Sequence, residues 1–241
     1  MTIDRALQAT TRRLTTTLFI GQGLALAALF TTVSISSIAG VQLAGTERVA
    51  GWPSTATLIG GSLAAYPAGR IMGRFGRRIG LSIGYAVGIV GGLLAGVAMM
   101  AQSFPLFLVS MVLLGAAWST SDQARYAAAD VSPAHLRARA VSTIVFAGII
   151  GAVFGPLITP IAGRLSQSLG YDKLVGPWFI NAALFVITLI FINVFLRPDP
   201  KEIAKQISTA GTANQPIELL APARSFGQVL RDPAVRVALI A

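Results

Sequence analysis

Cysteine is absent, and His135 is the single histidine of the 241 residues. Disulfides, thiolate nucleophiles and cysteine metal sites are therefore excluded, as are metal sites built from histidine clusters. Acids are also scarce: 9 Asp and Glu stand against 19 Lys and Arg. An enzyme embedded in a membrane needs several acids, histidines or a nucleophile converging at one depth. Only Asp122 and a loop histidine are on offer, so the chain reads as a non-enzyme with no cofactor and no metal. A phosphate-cradling P-loop is missing too, which removes ATP-driven transport by this chain.

What is abundant is apolar. Hydrophobic residues make up 54% of the chain and mean hydropathy is +0.71, a membrane composition. A net charge of +10 would suggest nucleic acid as the partner of a soluble protein. Here the arginines fall in links between apolar runs, so the partner implied is the lipid bilayer and not nucleic acid.

Six apolar runs are long enough to cross a bilayer core, for which about 20 helical residues suffice. They cover residues 14–39, 51–72, 79–101, 105–126, 140–162 and 175–196. The first is too long for a signal peptide and has no clear cleavage region after it. Pro105 suits the start of the fourth helix, and Ser132 before Pro133 reads as an N-cap and first position of the fifth. Gly80, Gly84, Gly88, Gly92 and Gly96 recur every fourth residue, a ridge for close packing of the third helix. Trp178 and Phe179 near the start of the sixth read as interfacial anchors. Residues 197–228 read as a polar linker, and 229–241 as the opening of a seventh helix that is cut off. Basic residues crowd one set of links and tails: Arg5, Arg12, Arg13, Arg70, Arg74, Arg77, Arg78, Arg125, Arg137, Arg139, Arg197, Lys201, Lys205, Arg224 and Arg231. The other set holds Arg48, Arg164 and Lys173. That asymmetry predicts a multi-pass protein of the plasma (inner) membrane with its N-terminus and linker in the cytoplasm.

The stretch GRIMGRFGRRIG, residues 69–80, joins the second and third runs with four arginines and no acid. Its glycines allow a tight turn. The pattern resembles the signature that the major facilitator superfamily carries between its second and third helices: a glycine, three residues, an aspartate, a basic residue, any residue, a glycine and two basics. Gly69, Arg74, Gly76, Arg77 and Arg78 stand in those places, and Gly73 stands where the family has its acid. The sequence GAVFGPLITP also resembles the family's fifth-helix pattern through Gly151, Gly155 and Pro156, with Thr159 and Pro160 replacing the terminal glycines. That pattern is associated with exporters; helix packing alone is the other reading of these glycines. The arginine that drug antiporters of the family often carry in the fourth helix, four residues before a glycine, is replaced by Met111 if Gly115 is that glycine.

The resemblance covers the whole chain. It implies an all-α polytopic membrane protein, a six-helix half-bundle with a cytoplasmic linker, whose C-terminal half lies beyond this sequence. The function implied is secondary transport of a small solute by alternating access, with export of hydrophobic or amphiphilic compounds favoured and protons a candidate coupling ion. A non-transporting scaffold or sensor on the same half-fold is the alternative. The family's first and fourth helices line its substrate cavity. That places Gln22, Trp118, Asp122 and Arg125 on the candidate substrate pathway.

Gln22 falls near mid-membrane on a polar stripe with Thr15, Thr32 and Ser36, where an amide could equally bond a neighbouring helix. Asp122 is about 25 Å along the fourth helix from Pro105, which favours a membrane-edge pair with Arg125 or a gate role over a central proton site. Asn181 and Asn193 read as packing hydrogen bonds. The family's signature acid is thought to hold the inner side closed by charge contacts. Without it, Arg74, Arg77 and Arg78 are expected to find other acids, Asp122 and Asp130 being the nearest at that level.

Overall fold

The structure is a computed structural model that describes residues 2–133 and 136–203, with side chains from residue 9 onward. His135, the linker from 204 onward and the stretch 229–241 lie outside the described residues. Among the described residues are seven complete α-helices and a short 3-10 turn at Glu47–Val49, with further helical residues at 200–203 and no strand. They are α1 Thr2–Ala44, α2 Trp52–Phe75, α3 Arg77–Met100, α4 Phe104–Asp122, α5 Ala124–Asp130, α6 Arg137–Ser168 and α7 Gly176–Phe195.

Among the described residues, five helical stretches are long and apolar enough to cross a membrane: 9–44, 77–100, 104–130, 137–168 and 176–203. Six had been expected. The missing one is α2, which has the length but carries Ser54, Thr55, Thr57, Ser62, Tyr66 and Arg70 among its glycines. These lower its hydropathy, and several of them face a cavity, not lipid. Helix boundaries also outrun the expected spans. α1 and α6 extend through polar residues at their ends, so Arg164 sits in α6 and not in a loop. A helix continues wherever its backbone bonds are made, while only the apolar part needs lipid.

The fourth span breaks at Gln123, where the α4 ladder tightens as Gln123 N–H donates to Thr120 O at 3.1 Å. α5 follows as a separate helix, and Ser132 belongs to its end: the Ser132 hydroxyl donates back to Ala128 O at 2.8 Å. The expected N-cap role at Ser132 is thus overturned, and α6 begins at Arg137 with no side-chain cap. Pro105 does occupy the first turn of α4, as Pro53 and Pro177 do in α2 and α7.

The helices pack as α1 against α6 and α7, α2 against α4, and α3 against α4 and α7. Small residues set these approaches. A Cβ on Gly60 would lie 1.9 Å from Val112 O, and one on Gly115 would lie 1.9 Å from Thr57 O, so α2 and α4 meet backbone to backbone. A Cβ on Gly151 would lie 2.8 Å from Ala27 N, and one on Gly155 would lie 2.7 Å from Ala27 O, which seats α6 on α1. The Thr31 hydroxyl ties that contact by donating to Ala27 O at 2.9 Å and Gly155 O at 3.1 Å. The ridge of α3 meets Met72, Thr120, Phe185, Asn181 and Phe179 in order from Gly80 to Gly96. Trp178 is fully buried, edge-on to Phe107 with centroids 5.2 Å apart. It is a core residue of the α4–α7 contact, not the interfacial anchor expected, because Phe107 offers it an aromatic face inside the bundle.

Candidate functional site

Two places bring the sequence's candidate residues together. The first is a cavity of about 590 Å³ between α1, α2 and α4. α1 contributes Leu29, Thr32, Val33 and Ser36. α2 contributes Ser54, Thr57, Leu58, Gly61, Ser62 and Ala65, and α4 contributes Leu114, Gly115, Trp118, Ser119 and Asp122. The close α2–α4 crossing leaves this face of α2 beside α1 instead of against it. Trp118 is half-buried and T-shaped to Phe30, with centroids 5.4 Å apart, which fixes the indole plane. Thr32 accepts a hydrogen bond from Asn181 Nδ2 at 2.9 Å, so its own O–H remains a donor. Asn181 also donates to Ala28 O at 2.6 Å, and Asn193 donates to Ser82 Oγ at 2.8 Å. Both asparagines do the packing work read from the sequence, and Asn181 in addition positions a cavity hydroxyl.

Asp122 is the single charged residue among those lining the cavity, and Arg125 Nη2 donates to its Oδ2 at 3.1 Å. The pair brings no net charge to that end of the cavity. Arg125 itself does not line it, nor does Gln22, which is buried within the bundle at 4% exposure. Of the polar stripe on α1, Thr32 and Ser36 reach the cavity while Gln22 and Thr15 do not. The chemistry on offer is a row of neutral hydroxyls, aliphatic walls, one aromatic face and one acid already paired.

The second place is the junction between α2 and α3. The link read as residues 69–80 is almost all helix, because α2 runs to Phe75 and α3 starts at Arg77. The turn is Gly76 alone, with φ +101° and ψ 162°, a conformation that suits glycine. A Cβ there would also come 2.5 Å from Asp199 Oδ2. Gly69 and Gly73 lie inside α2, and a Cβ on either would meet nothing within 4 Å.

Charge is arranged around that glycine. Arg77 Nε donates to Asp130 Oδ2 at 2.8 Å, joining α3 to the end of α5. Of the two acids expected opposite the arginines, Asp130 is the one engaged, while Asp122 is held by Arg125. Arg74 lies over the Phe75 ring, 5.4 Å from its centroid, and Arg70 Nη1 donates to Tyr66 Oη at 3.1 Å.

Asp199 was not singled out from the sequence, and Lys201 only as one of the basic residues at this end. The Asp199 carboxylate accepts from Arg77 N–H at 3.1 Å and Arg78 N–H at 3.0 Å, capping α3 from 122 residues away. Lys201 Nζ donates to Gly73 O and, at 3.2 Å, to Arg74 O, the open carbonyls at the end of α2. An acid thus sits at the positive end of one helix and a base at the negative end of the other. Residues 199–201, which follow α7, are therefore docked on the ends of α2 and α3. The one signal for this in the sequence is the Asp-Pro pair 199–200, a helix-start signature whose carboxylate here serves α3 as well as its own turn through Lys201 N–H at 2.9 Å.

Comparison with known proteins agrees with this architecture. The family model described as Major Facilitator Superfamily matches residues 18–241. The chain is 34% identical over 193 residues to the uncharacterized MFS-type transporter YdeG of Bacillus subtilis (strain 168), covering 80% of this chain and 44% of that protein. It is 31% identical over 203 residues to a second uncharacterized MFS-type transporter of the same organism, YddS, covering 84% and 45%. Among solved structures, the proton:xylose symporter XylE superposes with a TM-score of 0.68 at 19% identity, over 86% of this chain and 52% of that one. The chain spans about half the length of the curated relatives it matches.

Proposed function

The chain belongs to the Major Facilitator Superfamily of membrane transporters, and on that premise we propose that it is the N-terminal half of a secondary transporter that exports neutral amphiphilic solutes. The observation carrying this reading is the composition of the α1–α2–α4 cavity. Its hydroxyls can exchange hydrogen bonds with a polar edge of a solute, and Leu29, Val33, Leu58, Leu114 and Trp118 supply an apolar and aromatic surface. With Asp122 already paired, a charged solute would have no free counter-charge there and would lose hydration without compensation. Export is the finer part of the proposal and rests on the resemblance of Gly151, Gly155 and Pro156 to the exporter pattern.

The gate in this reading is the α2–α3 junction. With Gly73 in the acid's place, the Arg77–Asp130 pair and the Asp199 and Lys201 caps hold the ends of α2, α3 and α5 together. The Arg77–Asp130 pair and the Asp199 cap are partly buried, so their attraction is less screened than at an open surface, whereas the Lys201 contacts are exposed. The orientation proposed puts this junction, the N-terminus and the linker in the cytoplasm, because the basic residues gather at this end.

A substrate panel of neutral amphiphiles, sugars and organic ions, assayed with the full-length protein in proteoliposomes, tests the reading. Neutral amphiphiles should be transported, and Trp118→Ala should raise KM by about tenfold, the usual scale for losing one aromatic contact. Arg77→Ala should slow transport several-fold and leave solute binding intact, as expected when a conformational step is weakened. Transport restricted to ions or sugars would overturn the substrate class, and no transport of any panel member would favour a scaffold role.

A further inference from the structure

At the same end of the bundle as the α2–α3 junction, α1 and α7 enclose a groove of about 540 Å³. α1 lines it with Ala9, Arg12, Arg13, Thr16, Thr17 and Ile20, most of them one helical stripe, and α7 lines it with Phe191 and Phe195. The two phenylalanines sit one turn apart with ring centroids at 4.8 Å. Arg12, Arg13, Ile20 and Phe195 are exposed. Among the described residues, no acid lines the groove and neither arginine takes part in an ion pair. The Thr16 and Thr17 hydroxyls donate into their own helix, to Arg12 O at 2.9 Å and Arg13 O at 3.0 Å. The groove is therefore cationic at one end and apolar below it. The walls belong to two stretches long and apolar enough to cross a membrane.

We propose that this groove is a binding site for one anionic phospholipid. Its phosphate sits at Arg12 and Arg13 and one acyl chain lies along Ile20, Phe191 and Phe195. Guanidinium forks match phosphate oxygens, and the rise from Arg13 to Ile20 is about 10 Å, which places the floor in the acyl region once the arginines are at headgroup depth. A zwitterionic lipid would bring its own cation to the two arginines, which favours a headgroup of net negative charge. A free phosphate would leave the aromatic floor without a role.

Native mass spectrometry of the detergent-purified full-length protein tests the site. The probes are phosphatidylglycerol, phosphatidylcholine with the same acyl chains, and inorganic phosphate. One phosphatidylglycerol should be retained in preference to phosphatidylcholine and resist displacement by millimolar phosphate. The double variant Arg12→Gln with Arg13→Gln should lower its occupancy about tenfold, and the double lysine variant should keep most of it. Ile20→Trp fills the apolar floor, leaves both arginines in place, and should also weaken retention. Equal binding of both lipids, full retention by the glutamine variant, or displacement by phosphate would each overturn the proposal. Unchanged retention by Ile20→Trp would overturn the placement of the acyl chain. The substituted residues are exposed, so each variant should keep the thermal midpoint of the parent in lipid-free detergent. Should the glutamine variant not fold, Ile20→Trp and the lipid preference of the parent protein decide the matter.

Discussion

Helices α2 and α3 are both 24 residues long and meet at Gly76, yet their glycines face different neighbours. Along α3, Gly84, Gly88 and Gly96 press against the side chains of Thr120, Phe185 and Phe179. Along α2, Gly60 presses against the backbone of Val112, and Gly69 and Gly73 press against nothing. The third helix is held on two sides by α4 and α7. The second is held on one side by α4 and turns another to the cavity. A regular glycine period therefore marks a structural post, whereas scattered glycines on α2 mark one backbone crossing and an otherwise open face. The same contrast explains the hydropathy of the two helices: α3 hides small residues and shows lipid Val90, Leu93 and Val97, while α2 spends Ser and Thr on the cavity.

The largest expected effect lies at the backbone crossing. Gly60→Leu drives side-chain atoms into the Val112 carbonyl, which has no rotamer by which to move aside. We expect loss of folded protein, read as the disappearance of the monodisperse peak in detergent size-exclusion chromatography. A normal peak would show that α2 does not approach α4 this closely. Gly88→Leu should do less, because the Phe185 ring that it meets is a side chain and can shift. Overpacking of this kind costs about 1–3 kcal/mol. An unchanged thermal midpoint would place the ridge against lipid and erase the contrast between the two helices.

The ridge was legible in the sequence because a four-residue period is a property of one helix alone. Asn193 was legible for a similar reason, since an amide in an apolar run has to find a partner. Gln22 was read by the same rule, as a cavity contact or as an amide bonded to a neighbouring helix, yet it is buried away from the cavity and its Oε1 accepts no hydrogen bond among the described residues, because helical phase gives the angle of a residue and not which neighbour stands at that angle. Trp178 was misread since its partner, Phe107, belongs to another helix. The docking of Asp199 bridges 122 residues, and no local pattern encodes a contact of that range. The motif arginines were legible as a group, but only the fold decides that Arg77 takes Asp130.

At the junction the effects become smaller. Asp199→Asn keeps the shape of the cap and removes its charge. The amide can present one carbonyl oxygen to Arg77 N–H or Arg78 N–H but not two carboxylate oxygens to both. Losing a charged cap costs about 1 kcal/mol, measurable as a modest fall in the thermal midpoint. A loss as large as that of Gly88→Leu would mean that the linker supports the bundle as much as the ridge does.

The smallest effect on stability, and the sharpest on mechanism, is expected from Gly73→Asp. The substitution restores the acid of the superfamily's signature on the open face of α2, where a Cβ meets nothing within 4 Å. Replacing a helical glycine gains a few tenths of a kcal/mol in propensity. An acid near a helix C-terminus loses a similar amount to the dipole. The new carboxylate would stand on the residue whose carbonyl Lys201 Nζ now serves together with that of Arg74, within the field of that ammonium. The thermal midpoint should therefore stay within about 2 °C of the parent, in keeping with a surface change. Gating should respond, because the lysine would divide its attention between the end of α2 and a full negative charge. We expect the closed-inside state to gain population. The chain has no native cysteine, so a single cysteine at the cavity residue Ser62 reports that population cleanly. Labelling of Ser62→Cys from the cytoplasmic side of the full-length protein should slow when Gly73→Asp is added. If labelling and transport rate both stay the same, position 73 takes no part in gating, and α2 differs from α3 only in what it packs against.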